Sequence, residues 1–462
     1  MSGGGAEPST RVVPNAQVLQ QIADFATSAT PPPEARQRAA AAILDTVGVA
    51  LAGVAEPASR TVRTVLAPAD PGCIAWGTNQ HTTALDAALA NGTAAHALDY
   101  DDMCFVSLAH PSAPLVPAVL ASANVAHASG RDALDAYIVG FEVEARLGRV
   151  MNPRHYQRGW HNTSTLGTIG AAAAASRVLE LSADAVAHAI AIAASEASGL
   201  KENFGSMVKP LHAGLAARHG MLAAFLAGEG MTGSARALDG PQGFLHAMDA
   251  DREDPAREIG DLGKRWEMLD TGITVKLYPS CAGTHPTLDA LLDLRAREKF
   301  TDGDVDRIEI DVDPIVPTIL IYSRPTTALE AKFSMPFCAA AAVVFGSVGI
   351  DTFDEGRIRD PRVEGMMARI AMRVDPDVGQ GSPALTEARV RVRLKTGRTL
   401  SQDAHGARGY SDRPASDADL DAKFMACATR VLSRERAALA LEYLRGVEGH
   451  HDVLRLEDLL RA

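Results

Sequence analysis

Five ionisable side chains, His96, Asp99, Asp101, Asp102 and His110, fall within fifteen residues of the run NGTAAHALDYDDMCFVSLAHPSAP at 91–114. Their neighbours are small or apolar, and an apolar setting makes a charge costly unless it is paired or put to use. Imidazoles and carboxylates gathered there can take a proton from a small polar substrate and return it. A plainer reading places Asp101 and Asp102 on a solvated helix-capping turn, with His110 merely held beside Pro111.

Three more segments set polar residues among glycines and small side chains. In GWHNTST at 159–165, Thr163 or Ser164 can cap an Ala-rich helix and leave His161 at its N-terminus. The helix dipole there favours neutral imidazole and attracts anions; a core histidine bonded to a carbonyl fits the segment equally. In GSMVKPLHAG at 205–214, Lys209 has apolar neighbours and precedes an apolar helix. Buried lysines need partners, so it either pairs with an aspartate or grips a substrate carboxylate as a point charge. In KLYPSCAGTH at 276–285, Lys276 is a second candidate grip, and Ser280 or Thr284 can cap the next helix. Cys281 reads as a small buried cysteine, since no thiol-enzyme signature surrounds it.

The elements that must position these groups are mostly helical. Apolar residues recur at three- and four-residue spacing over 35–55, 82–97, 114–128, 131–150 and 164–179. Ser182 marks another helix start, and Gly199, Gly220, Gly228 and Gly230 read as stops or tight contacts. Stretches 185–199 and 213–227 are apolar nearly all round and are expected to be buried. RIEIDVD at 307–313 and ARVRVRL at 388–394 alternate as half-buried strands, the second turning at 395–398 into 399–403. Helical patterns at 284–299 and 335–346 lie between them, and 420–432 and 434–444 return to helix. The expected architecture is mainly α: a large helical domain over 15–268 and 412–462, interrupted by a smaller α+β lid domain over 269–411. Lys276 then falls at a domain boundary, a common place for small-molecule sites.

Length and composition agree with this outline. A chain of 462 residues exceeds one ordinary core. Its 47% hydrophobic and 22% charged residues exclude a disordered or fibrous class, and 5% aromatics with abundant alanine suit closely packed helices. A net charge of -12 argues against a nucleic-acid partner, so an anionic substrate must be met by a local cluster of Lys, Arg and His. Five scattered cysteines without a C-x-x-C pair disfavour zinc, iron–sulfur or disulfide frameworks and fit a reducing cytoplasm. MSGGGAEPST lacks the apolar core of a signal peptide and reads as a loose tail, and the longest apolar run, 338–350, is too short for a membrane span. The expectation is a soluble cytoplasmic protein without membrane partners.

Taken together, NGTAAHALDYDD…HPS at 91–112, GWHNT at 159–163, GSMVKPLHAG at 205–214, KLYPSC at 276–281 and RPTT…AKFSM at 324–335 closely resemble the MmgE/PrpD family. It includes 2-methylcitrate dehydratases, cis-aconitate decarboxylases and iminodisuccinate epimerases, and the likeness runs from about residue 15 to the end. The resemblance implies the two-domain architecture above, a homodimer, and no metal or organic cofactor. It places the family's active-site aspartate on Asp99, its histidines on His110 and His161, its lysines on Lys209 and Lys276, and a lid tyrosine on Tyr322. His96, Tyr322 and Met103 are read as substrate-binding positions. Met103 stands where a threonine commonly follows the Asp-Asp pair in decarboxylases and dehydratases, and the stretch to His110 is about one residue longer than in decarboxylases. A missing hydroxyl removes one hydrogen bond that could hold a tricarboxylate. GWHNTSTLG with RPTT and AKFS looks closer to the epimerase branch.

The chemistry shared across the family is proton removal, or addition, at a carbon next to a carboxylate. The charge that develops must be met by fixed cations. Lys209 and Lys276 would grip carboxylates, His110 and His161 act as acid and base, and Asp99 orient or tune one of them. The first expectation is a cofactor-independent lyase, dehydratase or decarboxylase, of a di- or tricarboxylic acid. The second is an epimerase of an imino- or hydroxy-dicarboxylate on the same residues. A non-catalytic carboxylate-binding protein is the third, and a metal-dependent hydrolase built on Asp99, Asp101, Asp102 and His96 the fourth.

Overall fold

The computed structural model describes residues 17–251, 254–379 and 387–462; the MSGGGAEPST tail lies outside the described residues. The chain is mainly α with a smaller α+β domain. One large apolar core joins helices Pro33–Gly53, Ala84–Ala97, Ser112–Ala126, Gly130–Met151, Asn162–Val178 and Val208–Gly228. Much of its inner surface is alanine, which lets helix axes approach closely without leaving voids. The C-terminal helices Asp417–Ala428 and Arg434–Arg445 pack back onto this core through Leu420, Phe424, Ala437 and Tyr443. Phe424 lies so close to the Pro33–Gly53 helix that a Cβ on Gly48 would stand 2.9 Å from its ring.

A second core belongs to the α+β part. Its four strands run in the order Ile370–Val374, Val305–Val312, Ala388–Leu394, Thr399–Ala404. The first pair is parallel, with Ile308 opposite Ile370, and the others antiparallel, with Ile310 opposite Val390 and Val390 opposite Gln402. Alternate residues Ile308, Ile310, Val390, Val392 and Leu400 are buried, and helices His285–Glu298 and Met335–Phe345 contribute to the same core. Ile370–Val374 escapes the sequence pattern because it is an edge strand with no fully buried residue.

Local expectations differ from the structure at several points. The helix Ala183–Glu196 is buried along one face only, through Val186, Ala189, Ile190 and Ala193, with Ser195 and Glu196 exposed. In Val208–Gly228 the small residues go inward, while Leu215, Leu222 and Phe225 stay half-buried. Thr163 and Ser164 do not cap the helix that starts at Asn162; His161 itself is the cap position and makes no side-chain cap bond. Thr284 precedes His285–Glu298 without capping it, because its hydroxyl is bonded to Ser280 and to the Cys281 carbonyl. Among the described residues no single helix is long and apolar enough to cross a membrane.

Candidate active site

The site begins with a helix crossing. Ala84–Ala97, capped by the Thr83 hydroxyl, meets Val208–Gly228 glycine to glycine. A Cβ on Gly92 would stand 2.9 Å from Gly214 Cα, and one on Gly214 would stand 2.3 Å from the Leu89 carbonyl oxygen. No larger residue permits that approach, which sets the end of one helix, with His96, against the start of the other, with Lys209. The chain then turns sharply, and Asp99 takes a left-handed φ of 52°, a conformation aspartate tolerates better than most residues. Two buried lysines pin this turn. Lys332 Nζ donates to the Leu98 carbonyl at 2.7 Å, and Lys423 Nζ donates to the Tyr100 carbonyl at 2.9 Å while pairing with Asp45.

Asp99 lies at the centre of the cluster. Lys209 Nζ donates to its Oδ1 at 2.5 Å and to His96 Nε2 at 2.8 Å. Lys276 Nζ donates to its Oδ2 and to its main-chain oxygen, both at 3.0 Å. Since His96 Nε2 accepts from an ammonium, its proton sits on Nδ1 and is donated to Asp101 Oδ2 at 2.7 Å. His110 leans into the same group, with Nδ1 3.4 Å from Asp101 Oδ2 and Nε2 4.0 Å from Asp99 Oδ1. The His161 ring stacks on His96 at 5.7 Å between centroids, and its Nδ1 meets His212 Nδ1 at 3.0 Å. Phe204 and Phe333 present their rings to the Lys209 ammonium at 5.4 and 5.3 Å.

Burial and mutual charge set the protonation states. Burial works to raise the Asp99 carboxyl, but Lys209 and Lys276 outweigh it and hold it well below the usual carboxylate range. Asp101 is likewise held low against burial by His96 and His110. Burial drives His96 down to about 3, and lowers His110 and His161, with the lysines acting in the same direction. The site therefore presents neutral imidazoles beside two ammonium groups. Each ammonium spends two of its three hydrogens on the bonds above, leaving one for an incoming carboxylate.

The structure thus brings Asp99, His96, His110, His161, Lys209 and Lys276 into one cluster, buried except for the half-buried His110. Tyr322 lies at its wall, half-buried, donating from its hydroxyl to the Phe204 carbonyl at 2.9 Å. Gly205, at φ 85°, makes room for it, since a Cβ there would stand 2.3 Å from the Tyr322 hydroxyl. Met103 pairs with Thr274 in a short antiparallel bridge and is buried in the apolar cluster that holds Phe204, Tyr278 and Cys281. The Cys281 thiol is buried and pushed up to about 11, as befits a packing residue. Sequence reading passed over His212, Lys332, Phe204 and Phe333. His212 had a usable signal: it lies three residues after Lys209, on the same helix face.

Asp101 and Asp102 are buried rather than solvated. Asp102 turns away from the cluster and accepts from the Ser112 main-chain N–H and hydroxyl, the latter also bonded to Tyr137. Burial is the largest influence on its carboxyl and, against the Ser112 bonds, raises it to about 7. The folded protein then holds that proton more tightly than an unfolded chain does. The stability this adds is full below about pH 4 and is lost as pH rises to about 7, by up to about 1.4 kcal/mol per pH unit. Asp102→Asn, which imitates the protonated form, is expected to melt together with the parent near pH 4 and later than it at pH 8. Identical pH dependence of the two melting temperatures would contradict this.

One oxygen or nitrogen from each of His96, Asp99, Asp101 and His110 lies within 4.8 Å of the others, a spacing a metal ion could use. Asp102 is not among them. The Asp99 oxygens are already bonded to two ammonium groups and His96 Nε2 accepts from one of these, so a divalent ion would have to displace fixed cations from its own ligands. The donor set suits an anion better than a metal.

Two family models cover most of the chain. The MmgE/PrpD N-terminal domain matches residues 20–256 and the MmgE/PrpD C-terminal domain matches residues 278–445. The cis-aconitate decarboxylase of Homo sapiens is 30% identical over 390 residues, which cover 81% of this chain and 79% of that protein. The cis-aconitate decarboxylase-like protein oryM of Aspergillus oryzae is 27% identical over 98% of both chains. A cis-aconitate decarboxylase of Aspergillus terreus is 25% identical over 93% of this chain and 92% of its own.

Proposed function

Because the chain belongs to the MmgE/PrpD family, we propose that it is a cofactor-independent lyase of a di- or tricarboxylic acid, with cis-aconitate decarboxylation the first reaction to test. The observation that carries this reading is the pair of ammonium groups bridged by one buried carboxylate, each with a hydrogen to spare. Two carboxylates of one substrate can take those hydrogens, which explains why a chain of net charge -12 can still receive an anion.

The steps follow from these groups. Lys209 and Lys276 hold the substrate carboxylates and offset charge that builds on the neighbouring carbon. In a decarboxylation, the carbon–carbon bond to one carboxylate breaks and carbon dioxide departs. The electron pair left on carbon then takes a proton from a histidine. In a dehydration, one histidine removes the carbon-bound proton and another protonates the leaving hydroxyl. His110 and His161 are the acid–base pair, and Asp99 fixes the lysines. His110 is lowered in the free protein first by burial and then by Lys276. An arriving polyanion offsets that lysine and lets the imidazole charge, so substrate binding is expected to take up a proton.

Met103 favours a second reading. It brings no hydroxyl to the turn beside Asp99, which suits a smaller anion than a tricarboxylate and supports an epimerase of an imino- or hydroxy-dicarboxylate. We further propose a homodimer, supported by the exposed apolar side chains Leu200, Met207 and Val208, and a cytoplasmic location, supported by five cysteines that are all unpaired. Proton NMR in heavy water with methylcitrate, citrate, cis-aconitate, tartrates and iminodisuccinate stereoisomers decides between the readings. New vinylic signals with carbon dioxide or water loss support the lyase. Deuterium incorporation with stereoisomer exchange supports the epimerase, and silence across the panel leaves a carboxylate-binding role.

A further inference from the structure

His161 and His212 face each other through their Nδ1 atoms at 3.0 Å. Two bare nitrogens at that separation would repel, so one ring carries a proton on Nδ1 and the other accepts it. Both rings are neutral near pH 7. Burial first, then Lys209, holds His212 down to about 4 and His161 well below its usual range, where His96 and His110 add to the effect. A neutral imidazole has one proton to give. Once His161 releases it from Nε2, the ring must gain one at Nδ1 or be left an anion. Among the described residues, the group bonded to that Nδ1 is His212.

His212 can make good the loss. It keeps 6% exposure where His161 has 1%. His161 Nε2 is sealed from solvent and unpartnered, whereas His212 Nε2 bonds to no described residue and is not sealed. The ring is held by its place on the Val208–Gly228 helix, one turn after Lys209, and its carbonyl accepts from the Ser164 hydroxyl at 3.3 Å.

We propose that His212 is a relay residue that hands its Nδ1 proton to His161 as His161 gives one up, a role that rests on His161 protonating the substrate. A proton from a buffer acid arrives at His212 Nε2 as the Nδ1 proton moves to His161 Nδ1. The His161 Nε2 proton then forms the new carbon–hydrogen bond with the electron pair left by carbon dioxide. One proton is consumed per turnover, as decarboxylation requires. The path that lets product out also lets water reach His161 Nε2: that nitrogen regains a proton, the His161 Nδ1 proton returns to His212 Nδ1, and His212 Nε2 gives its proton back to solvent.

His212→Gln tests this, because glutamine can still bond to His161 Nδ1 but cannot relay. The expected result is a kcat about 10- to 100-fold lower, a KM within about twofold of the parent, and recovery of kcat on adding imidazole to the assay. A purely structural histidine would give no such recovery, so unchanged kcat, or a loss that imidazole does not restore, overturns the relay. Nitrogen-15 NMR of histidine-labelled parent protein reads the same claim without turnover. One of the two rings should carry its proton on Nδ1 and the other on Nε2; both protonated on Nε2 would overturn the relay even if no acid in the panel is turned over. A parent that shows the opposed pair but no lyase activity would overturn the function reading instead.

Discussion

Asp99→Leu is expected to abolish turnover and destabilise the protein by about 3–5 kcal/mol, the usual cost of stranding buried charge. Asp99 is the counter-ion of two buried ammonium groups, Lys209 at 2.5 Å and Lys276 at 3.0 Å. Leucine would leave both without a carboxylate and force a branched side chain to hold φ 52°. Asp99→Asn separates the two effects. Asparagine keeps the shape, tolerates the left-handed turn and leaves one oxygen to accept from a lysine. It is expected to remain folded and still lose most of kcat/KM, because the ammonium groups are no longer held by a charge. Thermal melts beside steady-state rates check this; an active Asp99→Asn enzyme would reduce Asp99 to a structural residue.

Lys209→Met is the second large effect, in the opposite balance. Asp99 keeps Lys276, so the fold should persist with a modest fall in melting temperature. Activity should not persist: one substrate grip is gone and His96 Nε2 loses its donor. A loss in kcat/KM of about 100- to 1,000-fold is expected, comparable to deleting one preorganised donor at a site of developing charge. Lys209→Arg should rescue little, since a planar guanidinium cannot place one hydrogen on Asp99 and another on His96 between two phenyl rings. A Lys209→Met protein that melts far below the parent but turns over normally while folded would contradict this role.

Much of the architecture was readable because the helices carry a regular apolar period and two strands alternate cleanly. Ala388–Leu394 matches its sequence pattern end to end, whereas the edge strand Ile370–Val374, buried on neither face, left no signal. The site was readable as residue types but not as pairings. Lys209 sits 110 residues from Asp99 and Lys276 sits 177 away, and contacts at such separation depend on the glycine crossing at Gly92 and Gly214. Lys209 had two sequence readings, an aspartate partner or a carboxylate grip; the ion pair is present, and its remaining hydrogen leaves the second open. His212 and Lys332 were passed over because their importance comes from what they face, His161 Nδ1 and the Leu98 carbonyl. The plainer reading of Asp101 and Asp102, a solvated turn, fails because both carboxylates are buried. Here one is consumed by histidines and the other by a serine.

Whether the two lysines and Asp99 perform a metal-free decarboxylation is read from carbon dioxide release from cis-aconitate by chelator-treated enzyme, run beside Lys209→Met and Asp99→Asn. The expected result is stoichiometric carbon dioxide with a new vinylic acid from the parent, unaffected by the chelator, and near-complete loss in both variants. Release that needs an added divalent metal, or that survives in either variant, would contradict it.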